Sequence, residues 1–424
     1  MSLNARLQAS LDSRRKRNIL RRLPDPTTVG PNSTGSDFYT NDYLSLASSK
    51  SYHERLLKKL QSSHAVAGSG GSRLLVNSTA HATLEARLAT FFQAPAALLF
   101  NSGFDANVGF FACIPGEHDF VLYDEAIHAS VYDGMRASRA RDSLYSFKHN
   151  SVESLDRRLS DLMRSNPRIL DGTCSVFIAV ESLYSMDGDF APLLDIVQLL
   201  ETSLPHGNGH LIVDEAHATG IYGPEGRGLV AMLGLEKKVT ARLHTFGKAL
   251  ACTGAVLLTS PLIYSYLLNY ARPLIYTTAL NHACITAIDT SLDILTDGTA
   301  TQLSTHLLNL FDTFLTKLAP FIKKLPPDVI HLPQNILVPS ARASPIIPVM
   351  TSKARPLSAY LNERGFLTRP IVWPTVPKGA DRVRICLHAG NTVEEIDSLV
   401  GALLAWAQTQ MQPRARGLIA DAKL

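Results

Sequence analysis

Several polar side chains in this sequence stand where packing alone does not call for them. Lys248 lies in His244–Ser260, HTFGKALACTGAVLLTS, between a Thr-Phe-Gly turn and small residues that lead into an apolar strand. A lysine amine in such tight surroundings loses hydration, which lowers its pKa and leaves a neutral amine able to form an imine with an aldehyde. Lysines are rarely buried without a partner, so a purely structural role is the weaker reading. Asp214 closes the apolar run of HLIVDEAHATG, with His217 three residues on. A carboxylate at the end of a buried strand requires a cation or a strong donor. The protonated pyridine nitrogen of pyridoxal phosphate is such a donor, and the carboxylate would keep that ring charged and electron-withdrawing. His217 would then reach the ring's phenolic oxygen. A cap for a following helix is the plain alternative for Asp214.

Phosphate-binding groups have a matching place. LLFNSGFDANVGFF reads as strand, Ser-Gly-Phe turn and helix start, where backbone N–H groups bind anions and Gly103 permits close approach. Most Ser-Gly turns bind nothing, so this signal is weak alone. Thr245, just before Lys248, could hydrogen-bond the same phosphate. VLYDEAIHASVYDG delivers His128 just past another apolar run. Its imidazole could stack on a flat cofactor ring or be a satisfied core histidine.

The elements that must position these groups follow from the pattern. Apolar runs at 96–100, 119–123, 175–180, 210–214 and 254–260 alternate with helical-period stretches such as VESLDRRLSDLMRS and LLDIVQLLETS. Strands apolar throughout and separated by helices predict a mostly parallel sheet covered on both faces. Such α/β sheets bind ligands at the carboxyl ends of their strands, where each group above falls. A helical stretch over about 282–322 precedes the Pro-rich break KKLPPDVIHLP. The remainder reads strand, helix, strand, helix, a smaller α+β unit. We expect an arm over 1–50, a large domain over 51–305, a small domain over 306–415 and a tail over 416–424.

Composition bounds the function class. The 424 residues are 46% hydrophobic and 18% charged with a formal charge of +4, too mild to argue for nucleic acid and compatible with an anionic substrate such as a coenzyme A thioester. Five scattered cysteines with no C-x-x-C pair read as reduced small hydrophobes. No apolar run approaches the roughly 20 residues of a membrane span. The Arg-rich N-terminus has no secretory apolar region. A mitochondrial presequence is one reading, but Leu3, Leu7 and Leu11 favour an amphipathic helix. The final Ala422-Lys423-Leu424 is a variant of the Ser-Lys-Leu peroxisomal address, which predicts capture by the peroxisomal import receptor, with the cytoplasm as the alternative location.

Taken in order, NDYLSLA, GSGGSRLL, NSGFDANVGFF, HASVYDGMR, ESLYSMDGDFAPL, VDEAHATGIYGPEGRG, TFGKA, RPLIYTTAL, WPTVP and RVRICLHA run over nearly the whole chain. This set resembles the α-oxoamine synthases, pyridoxal-phosphate transferases of fold type I. TFGKA and PTVP are most similar to their biotin-pathway branch, the 8-amino-7-oxononanoate synthases. The resemblance implies that Lys248 is the imine-forming and proton-moving lysine and that Asp214 partners the pyridine nitrogen. It places His217 and Ser185 near the ring oxygen and stacks His128 on the ring. Gly103 and Phe104 are implied as backbone phosphate contacts, with Thr245 adding its side chain. Thr278 corresponds to a phosphate contact given by a neighbouring subunit, hence a homodimer with shared sites. Arg384 matches the two-pronged holder of the amino-acid carboxylate. Arg21 and Thr375 match other substrate contacts. No metal is implied.

The implied reaction joins L-alanine to pimeloyl-CoA. Lys248 removes the α-proton, the resulting carbanion attacks the thioester and expels coenzyme A, and loss of carbon dioxide yields 8-amino-7-oxononanoate. His128 could polarise the oxyanion. Two departures bear on this. Val372-Trp373-Pro374 precedes Thr375 where the branch tends to read Arg-Pro-Pro, which alters the grip on the acyl donor. Ser45 replaces a usual glycine, with little effect expected. The rivals are an α-oxoamine synthase with another amino acid or acyl chain in secondary metabolism, and a catalytically silent partner subunit. A simple transaminase fits the motif order less well.

Overall fold

The computed structural model describes residues 1–23, 35–338 and 342–411, so Ala422-Lys423-Leu424 lie outside the described residues. The chain divides into two compact units, Asn41–Leu307 and a second made of Met1–Thr40 with Leu308–Leu424. The first forty residues thus group with the C-terminal segment. No helix among the described residues is long and apolar enough to cross a membrane.

The larger unit is built on a seven-stranded sheet of β1 (Ala96–Phe100), β2 (Phe120–Asp124), β3 (Leu144–Phe147), β4 (Val176–Glu181), β5 (Gly209–Asp214), β6 (Ala241–Thr245) and β7 (Ala255–Thr259). Their order is β1-β7-β6-β5-β4-β2-β3. β7 runs antiparallel to both neighbours and all other pairs are parallel. β1 therefore points the same way as β6, and the carboxyl ends of β1, β2, β4, β5 and β6 share one edge. Burial on both faces explains the continuous apolar runs: all six residues of β4 are buried.

Two strands, β3 and β6, lay outside the apolar runs of the sequence. β3 is a half-exposed edge strand, so it needs no apolar run. β6, ARLHT, is buried but polar. Arg242 donates to Phe92 O at 2.9 Å and His244 Nδ1 meets Thr219 Oγ1 at 2.9 Å, while Arg242 Nη1 and His244 Nε2 have no hydrogen-bond partner among the described residues. β7 reverses because only residues 246–254 separate it from β6, too few for a helical crossover to a parallel strand.

Helices Gly103–Cys113 and Ala129–Ala137 begin just past β1 and β2. They pack very closely: a Cβ at Gly134 would lie 2.9 Å from Phe111 Cβ, 3.0 Å from Asn107 O and 3.0 Å from Val108 Cα. Phe110 and Phe111 enter the same core as Leu98, Val121, Phe177 and Leu257. Each such buried phenylalanine is worth about 1.5–3 kcal/mol. The helical stretch read over about 282–322 is two helices, His282–Thr296 and Thr299–Ile322, separated at Gly298, whose φ of 86° glycine adopts without strain.

In the second unit Arg369–Ile371, Arg382–Cys386 and Ile346–Met350 form an antiparallel sheet with Arg382–Cys386 in the centre. Helices Ala354–Asn362 and Val393–Met411 belong to this unit, and Ser36–Asp37 pairs parallel with Phe366–Leu367. The N-terminal helix is Leu3–Lys16, capped by Ser2 Oγ accepting from Ala5 N at 3.3 Å and ending in Arg14, Arg15 and Lys16. Basic residues at a helix carboxyl end suit its dipole.

Gly134→Val should destabilise the protein by roughly 1–3 kcal/mol, because its methyls overlap backbone rather than a movable side chain. Thermal denaturation beside Gly401→Val, a helical position with open space around it, separates this overlap from helix propensity.

Candidate active site

Lys248 sits in the link between β6 and β7. That link is folded back on itself by Phe246 N donating to Gly254 O at 2.9 Å, Cys252 N to Phe246 O at 2.8 Å and Ala251 N to Lys248 O at 2.9 Å. The side chain is half-buried rather than enclosed, and it has a partner: Lys248 Nζ lies 2.8 Å from His217 Nε2. His217 is buried, and its Nδ1 lies 2.7 Å from Tyr43 Oη, which donates to Asn41 Oδ1 at 3.2 Å. Which His217 nitrogen donates, to Tyr43 Oη or toward Lys248 Nζ, is set by the tautomer of its ring. The sequence reading gave His217 a place near the ring oxygen but missed Tyr43, although NDYLSLA contains it.

Asp214 ends β5 and is buried. One carboxylate oxygen accepts from Ala216 N at 2.9 Å and the other from Asn107 Nδ2 at 2.8 Å. The chain turns after Asp214 instead of entering a helix, so the helix-cap alternative does not apply. Asn107 also donates to Ser130 Oγ at 3.0 Å, and Ser130 Oγ lies 2.7 Å from His128 Nδ1. His128 Nδ1 accepts from Ser130 N at 3.2 Å as well, which leaves the ring proton on Nε2. The ring is exposed by area. Partial loss of hydration and the charge of Lys248 still hold it below its ordinary pKa, against the pull of Asp214. Glu181, at the end of β4 and paired in register with Asp214, is fully inside. Burial and the Asp214 charge push its carboxyl well above the usual range, opposed by Lys248. Asn107, Ser130 and Glu181 were missed by motif reasoning because each looks like an ordinary helix or strand residue.

The remaining positions fall as follows. Gly103 is the first residue of Gly103–Cys113, after Ser102 caps it by accepting from Asp105 N at 3.0 Å. A Cβ at Gly103 would lie 3.5 Å from Thr245 Cβ, so Thr245 and this helix start face one space, while Phe104 is exposed. Ser185 lies in the turn between Leu183 and Phe190, which form an isolated antiparallel bridge. Thr278 is exposed, and its carbonyl accepts from Asn101 Nδ2 at 2.6 Å. In the second unit, Arg21 and Thr375 are exposed, with Thr375 N donating to Val372 O at 3.0 Å. Arg384 is half-buried in the central strand of that unit's sheet, and its Nη2 donates to Tyr39 O at 3.3 Å.

His149 holds the Ser185 turn from behind. Its Nδ1 lies 2.8 Å from Asp124 Oδ1 and its Nε2 3.0 Å from Asp189 Oδ2. Asn150 Nδ2 donates to Asp189 at 3.0 Å, and Tyr184 N donates to Asp189 O at 2.9 Å.

With this geometry in place, the chain can be compared with known proteins. A family described as aminotransferase class I and II matches residues 35–403. The chain belongs to that family. It is 45% identical over 410 residues to an 8-amino-7-oxononanoate synthase of Emericella nidulans, covering 94% of this chain and 97% of that protein. An aminoacyl transferase sphA of Aspergillus fumigatus is 36% identical over 384 residues, covering 88% and 80%. A serine palmitoyltransferase structure from Sphingomonas wittichii matches with a TM-score of 0.80 at 24% identity over 96% of this chain and 99% of that one, which shows the shared fold type I architecture. Within its family the chain is an acyl-transferring enzyme of the α-oxoamine synthase branch, whose cofactor is pyridoxal phosphate.

The residues present fit that cofactor. Asp214 is a buried carboxylate with hydrogen bonds but no ion-paired cation among the described residues, the state that a protonated ring nitrogen would complete. The start of Gly103–Cys113 beside Thr245 offers backbone donors to a phosphate. Lys248 would supply the amine for the aldehyde.

Burial alone would lower the pKa of His149, but hydrogen bonds and charge from Asp124 and Asp189 outweigh it and push it up to about 10. A raised folded value means its stabilisation is fully present below about pH 6.5 and is lost as pH rises through about 10. The stability advantage of wild type over His149→Gln, read by urea denaturation, should therefore shrink steadily from pH 7 to pH 10. A pH-independent difference would show that the imidazole is not charged.

Proposed function

We propose that this enzyme condenses L-alanine with pimeloyl-CoA, releasing coenzyme A and carbon dioxide and giving 8-amino-7-oxononanoate, the keto-amine step of biotin synthesis. The observation that carries this is the 45% identity over 94% of the chain to a protein of that name. When bound, pyridoxal phosphate supplies an aldehyde for amines and a ring that takes up the electron pair released at the amino acid's α-carbon.

The chain's own residues do the rest. Lys248 Nζ takes the α-proton of alanine and returns one after decarboxylation, and the 2.8 Å contact to His217 Nε2 orients it for both transfers. Asp214, ion-paired with no cation among the described residues, would hold the protonated ring nitrogen of the bound cofactor. His128 directs its Nε2–H outward as a donor to the oxyanion formed at the thioester carbon. Arg384 binds the amino-acid carboxylate.

The 36% identity to an aminoacyl transferase sphA favours one second reading, the same chemistry on a different acyl chain or amino acid. Retention of Lys248, Asp214 and His128 argues against a silent partner subunit. We also propose a homodimer in which Thr278, exposed in the single chain, serves the neighbouring site. Ala422-Lys423-Leu424 is proposed to direct the enzyme to peroxisomes.

Mass spectrometry of the reaction of alanine, glycine or serine with pimeloyl-CoA, or with longer monocarboxylic acyl-CoAs, tests the assignment. The 8-amino-7-oxononanoate mass should dominate from alanine and pimeloyl-CoA, and Lys248→Ala should reduce its formation by at least about a thousandfold. A product made only from another pair sinks the proposed substrates. For the location, a fluorescent fusion to the N-terminus should collect in peroxisomes and become diffuse when the last three residues are removed.

A further inference from the structure

Within the larger unit, two loops that bring site residues to the sheet's edge share a support outside the reacting groups. The ladder between β2 and β4 ends at Tyr123 and Ala179, short of both loops. Asp124, the buried last residue of β2, begins the loop that carries His128, and its Oδ1 accepts from Ala126 N at 2.8 Å. Asp189 closes the turn that carries Ser185: Tyr184 N donates to Asp189 O at 2.9 Å and Gly188 N to Tyr184 O at 2.9 Å. The dipeptide His149-Asn150, just past edge strand β3, joins these two carboxylates twice over. His149 places Nδ1 2.8 Å from Asp124 Oδ1 and Nε2 3.0 Å from Asp189 Oδ2. Asn150 donates from its main-chain N to Asp124 Oδ2 at 2.8 Å and from its side-chain Nδ2 to Asp189 Oδ2 at 3.0 Å.

Reaching both carboxylates from one residue holds Asn150 at φ 52°, in the left-handed region that Asn enters more readily than most side chains. Against the effect of burial, Asp124 and Asp189 hold the His149 pKa up to about 10, so at neutral pH the ring donates from both nitrogens. The buried Tyr184 ring meets the imidazole edge-on, with centroids 4.5 Å apart, and backs it. Groups that act together on one substrate lose up to about a hundredfold in rate when one is misplaced by an ångström. We propose that His149-Asn150 is a positioning clamp for the reaction, which fixes the His128 loop and the Ser185 turn against each other by the width of one imidazole ring. This rests on the roles given to His128 and Ser185 above. The clamp sets a spacing that pairing between β2 and β4 does not reach.

Backbone hydrogen exchange in the cofactor-free chain, read by mass spectrometry, tests the clamp without any turnover. His149→Gln, which reaches one carboxylate at a time, should speed exchange at least about tenfold in peptides covering both 125–131 and 184–190, and leave 176–181 as in wild type. Asn150→Gly keeps the main-chain donor and adopts the same φ without strain, so it should give the same pattern to a smaller degree. In the cofactor-loaded enzyme both variants should lower kcat about tenfold for the substrate pair that wild type accepts, with KM within about twofold. The visible circular dichroism of the bound cofactor should fall at unchanged cofactor content. Faster exchange in one of the two segments alone, or in neither, overturns the clamp. Faster exchange in both, with kcat and dichroism unchanged, overturns the positioning role. A wild type that does not turn over alanine with pimeloyl-CoA removes the proposed reaction alone, because exchange and dichroism still decide the clamp.

Discussion

A carboxylate held out of water must have its charge answered, and Asp214 is answered only in part. Ala216 N and Asn107 Nδ2 each satisfy one oxygen, but no cation among the described residues pairs with it. Isolated buried charge costs several kcal/mol in real proteins after relaxation. Much of the surrounding architecture serves to position this residue. It ends a strand in the middle of the sheet, flanked in register by Glu181 on one side and Leu243 on the other. Glu181 yields its own ionisation to that arrangement, since two neighbouring buried carboxylates do not both stay charged cheaply.

Two hydrogen-bonded chains lead outward from this centre. One passes from Asp214 through Asn107 and Ser130 to His128 and ties helices Gly103–Cys113 and Ala129–Ala137 to the site. The other runs from Lys248 through His217 to Tyr43 and Asn41. In the first, Ser130 N donating to His128 Nδ1 leaves that ring's proton on Nε2. The tight packing at Gly134 lets the first chain form, because a larger residue would push the two helices apart at Asn107.

How much of this could be read in the sequence depended on the kind of signal. Strands buried on both faces announce themselves as apolar runs, and five of the seven did. β6 did not, because Arg242 and His244 are buried with partners that come from distant segments. Lys248, Asp214 and His128 were legible because their chemistry conflicts with their neighbourhood. Asn107 and Ser130 were not, since a helix interior or start tolerates them without remark, and only the fold brings them between Asp214 and His128. Lys248 was expected to stand alone among small residues. In the structure His217 meets it, a contact 31 residues distant along the chain that no local pattern encodes.

The nine-residue span joining β6 to β7 ties the amine to the sheet at both ends, because Thr245 and Ala255 are partners in the ladder. Most surface connections in such an enzyme can lengthen or shorten over evolutionary time with little consequence. This one cannot drift by even a single residue without slipping the strand register or swinging the amine off its histidine. Length, more than residue identity, is therefore the property of this segment under the strictest constraint.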